Sequence, residues 1–301
     1  MNTLSRDQQS TIIAALTEGM SIRSTERLTG IHRDTIMRLG ARVGAGCQKL
    51  HDRTMHSLRV GRIELDEIWS FVGKKQKQVT PRDVAVKGDQ YVFIALASSA
   101  KAILTYRIGK RTPATTEAFV HDLSERVLGA PEISTDGFHP YLPTIRDAFG
   151  SRASHGVITK TYSVTHLAVK DAARRYSPAQ VVAVDRQVVA GNTAMEISTS
   201  YVERQNLTLR MTQRRFGRLT NAFSKTLQNH AAAVDLYVAH YNFCRVHETL
   251  GRSTPAMALG LTDHVWSIGE LIEKALANVP DTLGRRREPV SLTVIDGGKV
   301  D

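Results

Sequence analysis

Three acidic residues stand in three different local contexts: Asp66 in Ile63-Glu64-Leu65-Asp66-Glu67-Ile68-Trp69, Asp136 in Ser134-Thr135-Asp136-Gly137, and Glu203 in Tyr201-Val202-Glu203-Arg204-Gln205-Asn206. Phosphodiester chemistry needs an activated nucleophile and a stabilised leaving oxygen, and two divalent cations roughly 3.5–4 Å apart supply both. Mg²⁺ is a hard cation that binds through a few carboxylates, water and the substrate's own phosphate. A protein that uses it must therefore bring two or three carboxylates together at a strand end. Asp66 is the most telling of the three. A carboxylate flanked by Ile63, Leu65, Ile68 and Trp69 is costly to bury without a cation or donors beside it. Glu67 is its nearest competitor. Asp136, ahead of Gly137, also reads as an ordinary turn residue, and Glu203 as a charge favoured near a helix start.

The elements that must position these groups follow from the hydrophobic pattern. Residues 60–72, 90–98 and 102–108 read as three consecutive strands. Thr112 caps a helix that runs to Leu128, with Pro113 in its first position. A strand at 131–135, a helix at 139–149 and a strand at 153–159 come next. This α/β order is that of the ribonuclease H-like fold, a mixed sheet flanked by helices. In it the first strand is central and the fourth lies beside it. Asp66 and Asp136 would then be neighbours, and Glu203 must return on a helix packed against the same sheet edge. Residues 160–199, with the alternating stretch from Val181 to Val189, are expected to be a hairpin insertion, residues 200–258 mostly helical, and the last forty a peripheral extension.

Ahead of these strands, residues 7–18 show helical spacing through Ile12, Ile13 and Leu16. Ser21 can cap a second helix, Gly30 permits a sharp turn, and a third helix follows with Ile36, Leu39 and Val43 inward. This is a helix-turn-helix pattern whose last helix exposes His32, Arg33, Thr35 and Arg38 toward base edges or phosphates in a major groove. A plain helical hairpin is the rival reading, and Glu26 departs from the small residue that close helix packing favours. The expected organisation is an all-α helix-turn-helix domain at 1–56, a catalytic domain at 57–261 and an extension at 262–301.

Composition narrows the partner. The 301 residues carry 40 Lys and Arg against 29 Asp and Glu, a net charge of +11, which favours a polyanion. Lys74, Lys75, Lys77, Arg82 and Lys87 gather after the first Asp against the single acid Asp83. Arg204, Arg210, Arg214, Arg215, Arg218 and Lys225 follow Glu203. Glu203, Asn206 and Arg210 share one helix face, where a metal ligand, an amide and a guanidinium could grip a metal and adjacent phosphates. No apolar run is long enough to span a membrane, and the first seven residues lack the apolar segment of a secretion signal. Two cysteines, Cys47 and Cys244, make no disulfide framework, so a cytoplasmic, nucleoid-associated protein is expected.

Four ordered blocks carry a more specific likeness: 66–72 (Asp-Glu-Ile-Trp-Ser-Phe-Val), 134–138 (Ser-Thr-Asp-Gly-Phe), 201–210 and 241–250. From about residue 5 to 261 the chain resembles bacterial insertion-sequence transposases of the Asp-Asp-Glu (DDE) class. The resemblance implies that Asp66, Asp136 and Glu203 are the catalytic, metal-binding triad, loading two Mg²⁺ or Mn²⁺ ions. It implies cleavage at element ends and transfer of the freed 3′-hydroxyl into target DNA. The implied partners are double-stranded DNA, as terminal repeats and as target, and further copies of the chain in a homodimer or larger assembly. Two other functions stay open on the residues alone: a helix-turn-helix transcription regulator, which leaves the triad without a job, and a metal-dependent nuclease of the same fold.

Overall fold

The computed structural model of the protein describes residues 4–162, 181–217 and 221–277. The N-terminal helices are α1 (Arg6–Thr17), α2 (Ile22–Thr29) and α3 (Arg33–Thr54). Ser5 closes a capping box with Gln8 at the start of α1, and Ser21 caps α2. Gly30 ends α2 in the left-handed conformation, which only a residue without Cβ adopts freely. Glu26 explains its own departure from pattern: its Oε1 accepts the backbone amide of Arg33 at 2.9 Å, satisfying one free donor of the first turn of α3.

Next come β1 (Leu58–Arg59), β2 (Arg62–Val72), β3 (Gly88–Ala97), β4 (Ala102–Gly109), α4 (Pro113–Arg126), β5 (Val127–Leu128), β6 (Glu132–Asp136), α5 (Tyr141–Phe149), β7 (Ser154–Tyr162) and β8 (Val181–Ala190). The helices α6 (Ser200–Thr212), α7 (Leu227–Phe243), α8 (Pro255–Ala258) and α9 (Ile268–Leu276) complete the described chain. The main sheet is mixed, with order β4-β3-β2-β6-β7-β8. β2, β3 and β4 form an antiparallel meander, β6 and β7 run parallel to β2, and β8 returns antiparallel to β7. The first long strand is therefore internal, with β6 beside it. Strands β1 and β5 make a separate parallel pair.

Helices cover both faces. Ile63 and Leu65 of β2 point into a core with Phe119 and Leu123 of α4 and Ile145 and Phe149 of α5. Ile68, on the opposite face, meets Val202 and Leu209 of α6 and Val234 and Tyr237 of α7. This alternation is the period of two expected of a strand buried on both sides. On the outer edge of β4, beside its bulge, the Asn242 side chain bonds both the amide (3.0 Å) and the carbonyl (2.9 Å) of Ile103, as a further strand would.

Two expectations about organisation change. The stretch from Val181, expected to be a hairpin insertion, is the edge strand of the main sheet, paired with β7 over most of its length. Residues 262–277, expected to be peripheral, contribute Trp266, Leu271, Ile272 and Ala275 to one apolar core with α1, α3 and α7. The remainder of the expected insertion, Arg218, and the Arg285-Arg286-Arg287 run lie outside the described residues.

Close backbone approach holds α3 in that core. A Cβ at Gly44 would run into the backbone of Ala232 on α7, and one at Gly46 into Ala275 on α9. Gly44→Ala should therefore destabilise the protein by about 1–3 kcal/mol despite the better helix propensity of alanine. Chemical denaturation checks this; an unchanged or raised stability would show that α3 and α7 do not meet this closely.

Candidate metal centre

Register sets the site. Hydrogen-bonded pairing of β2 with β6 ends at Glu64↔Ser134, two residues before Asp66 and Asp136. Beyond that rung the two strands part, while β6 stays paired with β7 to Asp136↔Ile158. Asp66, Glu67 and Asp136 each place a carboxylate oxygen within 4.8 Å of the others at this opening. Glu203, on the first turn of α6, lies outside that set but lines the same cleft of about 550 Å³ with Asp66, Asp136, Arg111, Lys160 and Thr199.

Each carboxylate is aimed by its own partners. Asn206 of α6 donates Nδ2 to Asp66 Oδ2 at 2.8 Å. The amide of Phe138 donates to Asp136 Oδ1 at 2.9 Å, so Asp136 is both a turn residue and a cleft residue. Thr199 Oγ1 donates to Glu203 Oε1 at 2.6 Å, and the Lys160 ammonium pairs with the same oxygen. The Arg111 guanidinium, 3.9 Å over the Phe138 ring, lies 3.5 Å from Glu67 Oε2 and 3.9 Å from Asp136 Oδ2. Asn206 was expected to grip phosphates; it instead fixes a carboxylate.

The electrostatics are those of crowded, dry acids. Burial pushes Asp66 up to about 6, with the charges of Asp136 and Glu203 adding to the rise and the Asn206 bond opposing it. Burial likewise pushes Glu67 up to about 8, helped by the Asp136 charge and opposed by Arg111. The Glu67 side chain is only 3 % exposed, and the buried Tyr141 hydroxyl lies against it as a donor. Three carboxylates converging on one opening are the hard oxygen donors a divalent cation takes, so the residues fit Mg²⁺ or Mn²⁺. Glu67 lay one position from the expected ligand. Strand alternation turns the two acids to opposite faces of β2, yet beyond the last β2–β6 rung both reach Asp136.

Sequence reasoning missed three contributors. Arg111 and Lys160, from a β4–α4 loop and from β7, sit outside every basic run. Glu64, buried on β2, accepts the amides of Tyr201 and Val202 at 2.8 and 2.9 Å. Its one sequence signal is an acid two residues before Asp66 on the same strand face.

The expected DNA-contacting residues divide. His32, Arg33 and Arg38 are exposed, and Thr35 is half-buried. His32 also caps α3 through Nδ1, 3.3 Å from the Asp34 amide. Lys77 and Arg214 are exposed and Lys75 is half-buried, 6.0 Å from the Phe71 ring centre, whereas Lys74 donates to Asp83 at 2.7 Å. Arg210 is half-buried on α6. Arg215 requires correction as a surface cation. Its guanidinium turns inward to Ser224 Oγ (2.8 Å) and the Asn229 carbonyl (3.0 Å), and burial holds it at about 10. It starts a directed chain: Arg215 donates to Ser224, Ser224 to His230 Nδ1, His230 Nε2 to Ser70, and Ser70 to the Gln90 carbonyl. Each group on that path donates to the next, so the chain ties the segment after α6 to β2.

No protein-family model matches the chain, and no curated protein does. Among solved structures, a piggyBac transposase synaptic complex with hairpin DNA aligns at 12 % identity and TM-score 0.39, over 91 % of this chain and 71 % of that one. A Mos1 transposase paired-end complex with left transposon end aligns at 13 % identity and TM-score 0.18, over 50 % and 57 %. Likeness at these scores carries no argument, and the site stands on its own geometry.

That geometry has a pH signature. A carboxyl raised from 4.5 to about 8 on folding contributes stability that is full below about 4.5 and lost as pH rises through about 8. Glu67→Gln is neutral at every pH. In metal-free protein its melting temperature should exceed wild type by roughly 5 °C near pH 9, and the gap should shrink as pH falls and close only toward about pH 4.5. A constant gap across that range would remove Glu67 from the buried cluster.

Proposed function

We propose that the protein is a DNA transposase with a ribonuclease H-like catalytic domain, acting through Asp66, Asp136 and Glu203. The observation that carries the reading is the meeting of acids from β2 and β6, at the point where those strands part, with Glu203 of α6 on the wall of one cleft. Carboxylates of Asp66, Glu67 and Asp136 crowded within 4.8 Å would have their mutual repulsion offset by a cation there. A transcription regulator would leave that cost uncompensated. The net charge of +11 and the exposed cations of α3 support DNA as the polyanion.

Bound by Asp66, Asp136 and Glu203, Mg²⁺ or Mn²⁺ would raise the reactivity of an attacking oxygen and stabilise the leaving one. The chain's own groups do the rest. Asn206 fixes the Asp66 carboxylate through one oxygen and leaves the other to the cleft. The Phe138 amide does the same for Asp136. Arg111 and Lys160 bring positive charge to the cleft wall, where they can meet the phosphates flanking the scissile bond. His32, Arg33, Thr35 and Arg38 of the helix-turn-helix segment read the terminal repeats, with Lys75, Lys77, Arg210 and Arg214 holding backbone phosphates. Water attacks first at the element end; the freed 3′-hydroxyl then attacks the target in a second direct displacement. Processing two ends together calls for a homodimer or larger assembly.

Asp66→Asn, Asp136→Asn and Glu203→Gln should each reduce cutting and joining of labelled terminal-repeat DNA to background, with end binding retained. Joined products from wild type distinguish a transposase from a nuclease, which gives cut products alone. Activity surviving in any one variant removes that residue from the site.

The recognition segment has its own test. Arg33→Ala and Arg38→Ala should weaken binding, and each should lower the slope of log affinity against log salt by about one if it meets a phosphate. Unchanged slopes and affinities in both variants would move recognition away from α3.

A further inference from the structure

Helix α6 begins without a cap of its own. The side chain of its N-cap residue Thr199 accepts from no amide of the first turn, because the hydroxyl is turned to the Glu203 carboxylate. The first amides of a helix have no acceptor within it and present partial positive charge. Here the acceptor comes from the sheet: Glu64 Oε2 takes the amides of Tyr201 and Val202, at 2.8 and 2.9 Å. The second oxygen, Oε1, accepts the Ser98 hydroxyl at 3.2 Å, and the residue is 2 % exposed.

A second tie joins the same strand and helix one turn on, where Asn206 reaches Asp66 at 2.8 Å. Glu64 and Asp66 share a face of β2, about 7 Å apart along it. Glu203 lies between the two fastenings. Its rotation about the α6 axis and its depth in the cleft are thus set by the strand that carries Asp66.

We propose that Glu64 is a positioning residue, which fixes the start of α6 and through it the placement of Glu203 against Asp66 and Asp136. It touches no substrate. The chemical value of the placement rests on the metal-centre reading above, but the anchor itself can be tested without it.

The test combines hydrogen exchange with Mn²⁺ binding followed by electron paramagnetic resonance, on the full-length chain. Glu64→Gln keeps the shape and removes the charge; Glu64→Ala removes the acceptor. Both should speed exchange of the Tyr201 and Val202 amides about tenfold or more in metal-free protein, with exchange in α7 unchanged. Protection that persists in both variants overturns the anchor.

Mn²⁺ affinity should fall about tenfold in Glu64→Gln, the scale of losses when a residue orienting a ligand is changed. The double variant Glu64→Gln/Glu203→Gln should then bind no more weakly than Glu203→Gln alone. Losses that multiply would mean Glu64 acts by its charge and not through Glu203, overturning the positioning role. A wild type that binds no Mn²⁺ defeats the metal-centre reading, while faster amide exchange in the variants still upholds the anchor.

Discussion

Carboxylates that repel one another, placed where water is scarce, are held together only if the surrounding fold is stiff enough to oppose them. Asp66, Glu67 and Asp136 meet that description, with two of the three pushed well above the usual carboxylate range by burial and mutual charge. The opposing stiffness is visible around them. β2 is hydrogen-bonded to β3 across ten consecutive rungs, from Ile63↔Ala97 to Val72↔Gly88. β6 is fastened to β7 to its last residue. The site opens where β2 and β6 cease to pair, so the acids crowd into one short gap between well-paired strands.

Charge within the site is also arranged in opposition. Arg111 leans on Glu67 and Asp136 while stacked on Phe138, and Lys160 leans on Glu203. Each cation is partly exposed at the cleft wall, so solvent screens its pairing and the attraction is modest. That modesty matters. A weakly held guanidinium or ammonium can exchange its carboxylate for a phosphate at little cost, whereas a deeply buried pair could not.

Much of the fold was legible because its signals are local. The Thr112-Pro113 cap, the Gly30 turn, and the apolar alternation of residues 60–72 each specify an element by nearby chemistry. Once elements were placed, the order of strands put Asp66 beside Asp136. What stayed hidden depends on approach between distant segments. The Ser267 cap and the spacing of Ile268, Leu271, Ile272 and Ala275 mark an amphipathic helix, but nothing local says that its apolar face packs on α1 and α3, more than two hundred residues earlier. Arg215 reads as one more cation in a basic run, and only the position of Ser224 and Asn229 turns it inward. Glu67 was visible as the competitor of Asp66, but not that both acids, on opposite faces of β2, would reach Asp136.

Helix α7 ties these parts into one mechanical object. It is apolar around most of its circumference, as a helix buried on all sides must be. Val234, Tyr237, Val238 and Tyr241 face the sheet and α6, while Leu236, Ala239 and Phe243 face the N-terminal helices and α9. At Gly44 the backbone of α3 meets that of α7 with no room for a methyl group. Close-packed contacts of this kind transmit displacement because there is no void to absorb it. The N-terminal helices and the acidic cleft consequently hold a fixed relation, set by two glycines and one apolar helix, without any flexible linker between them among the described residues.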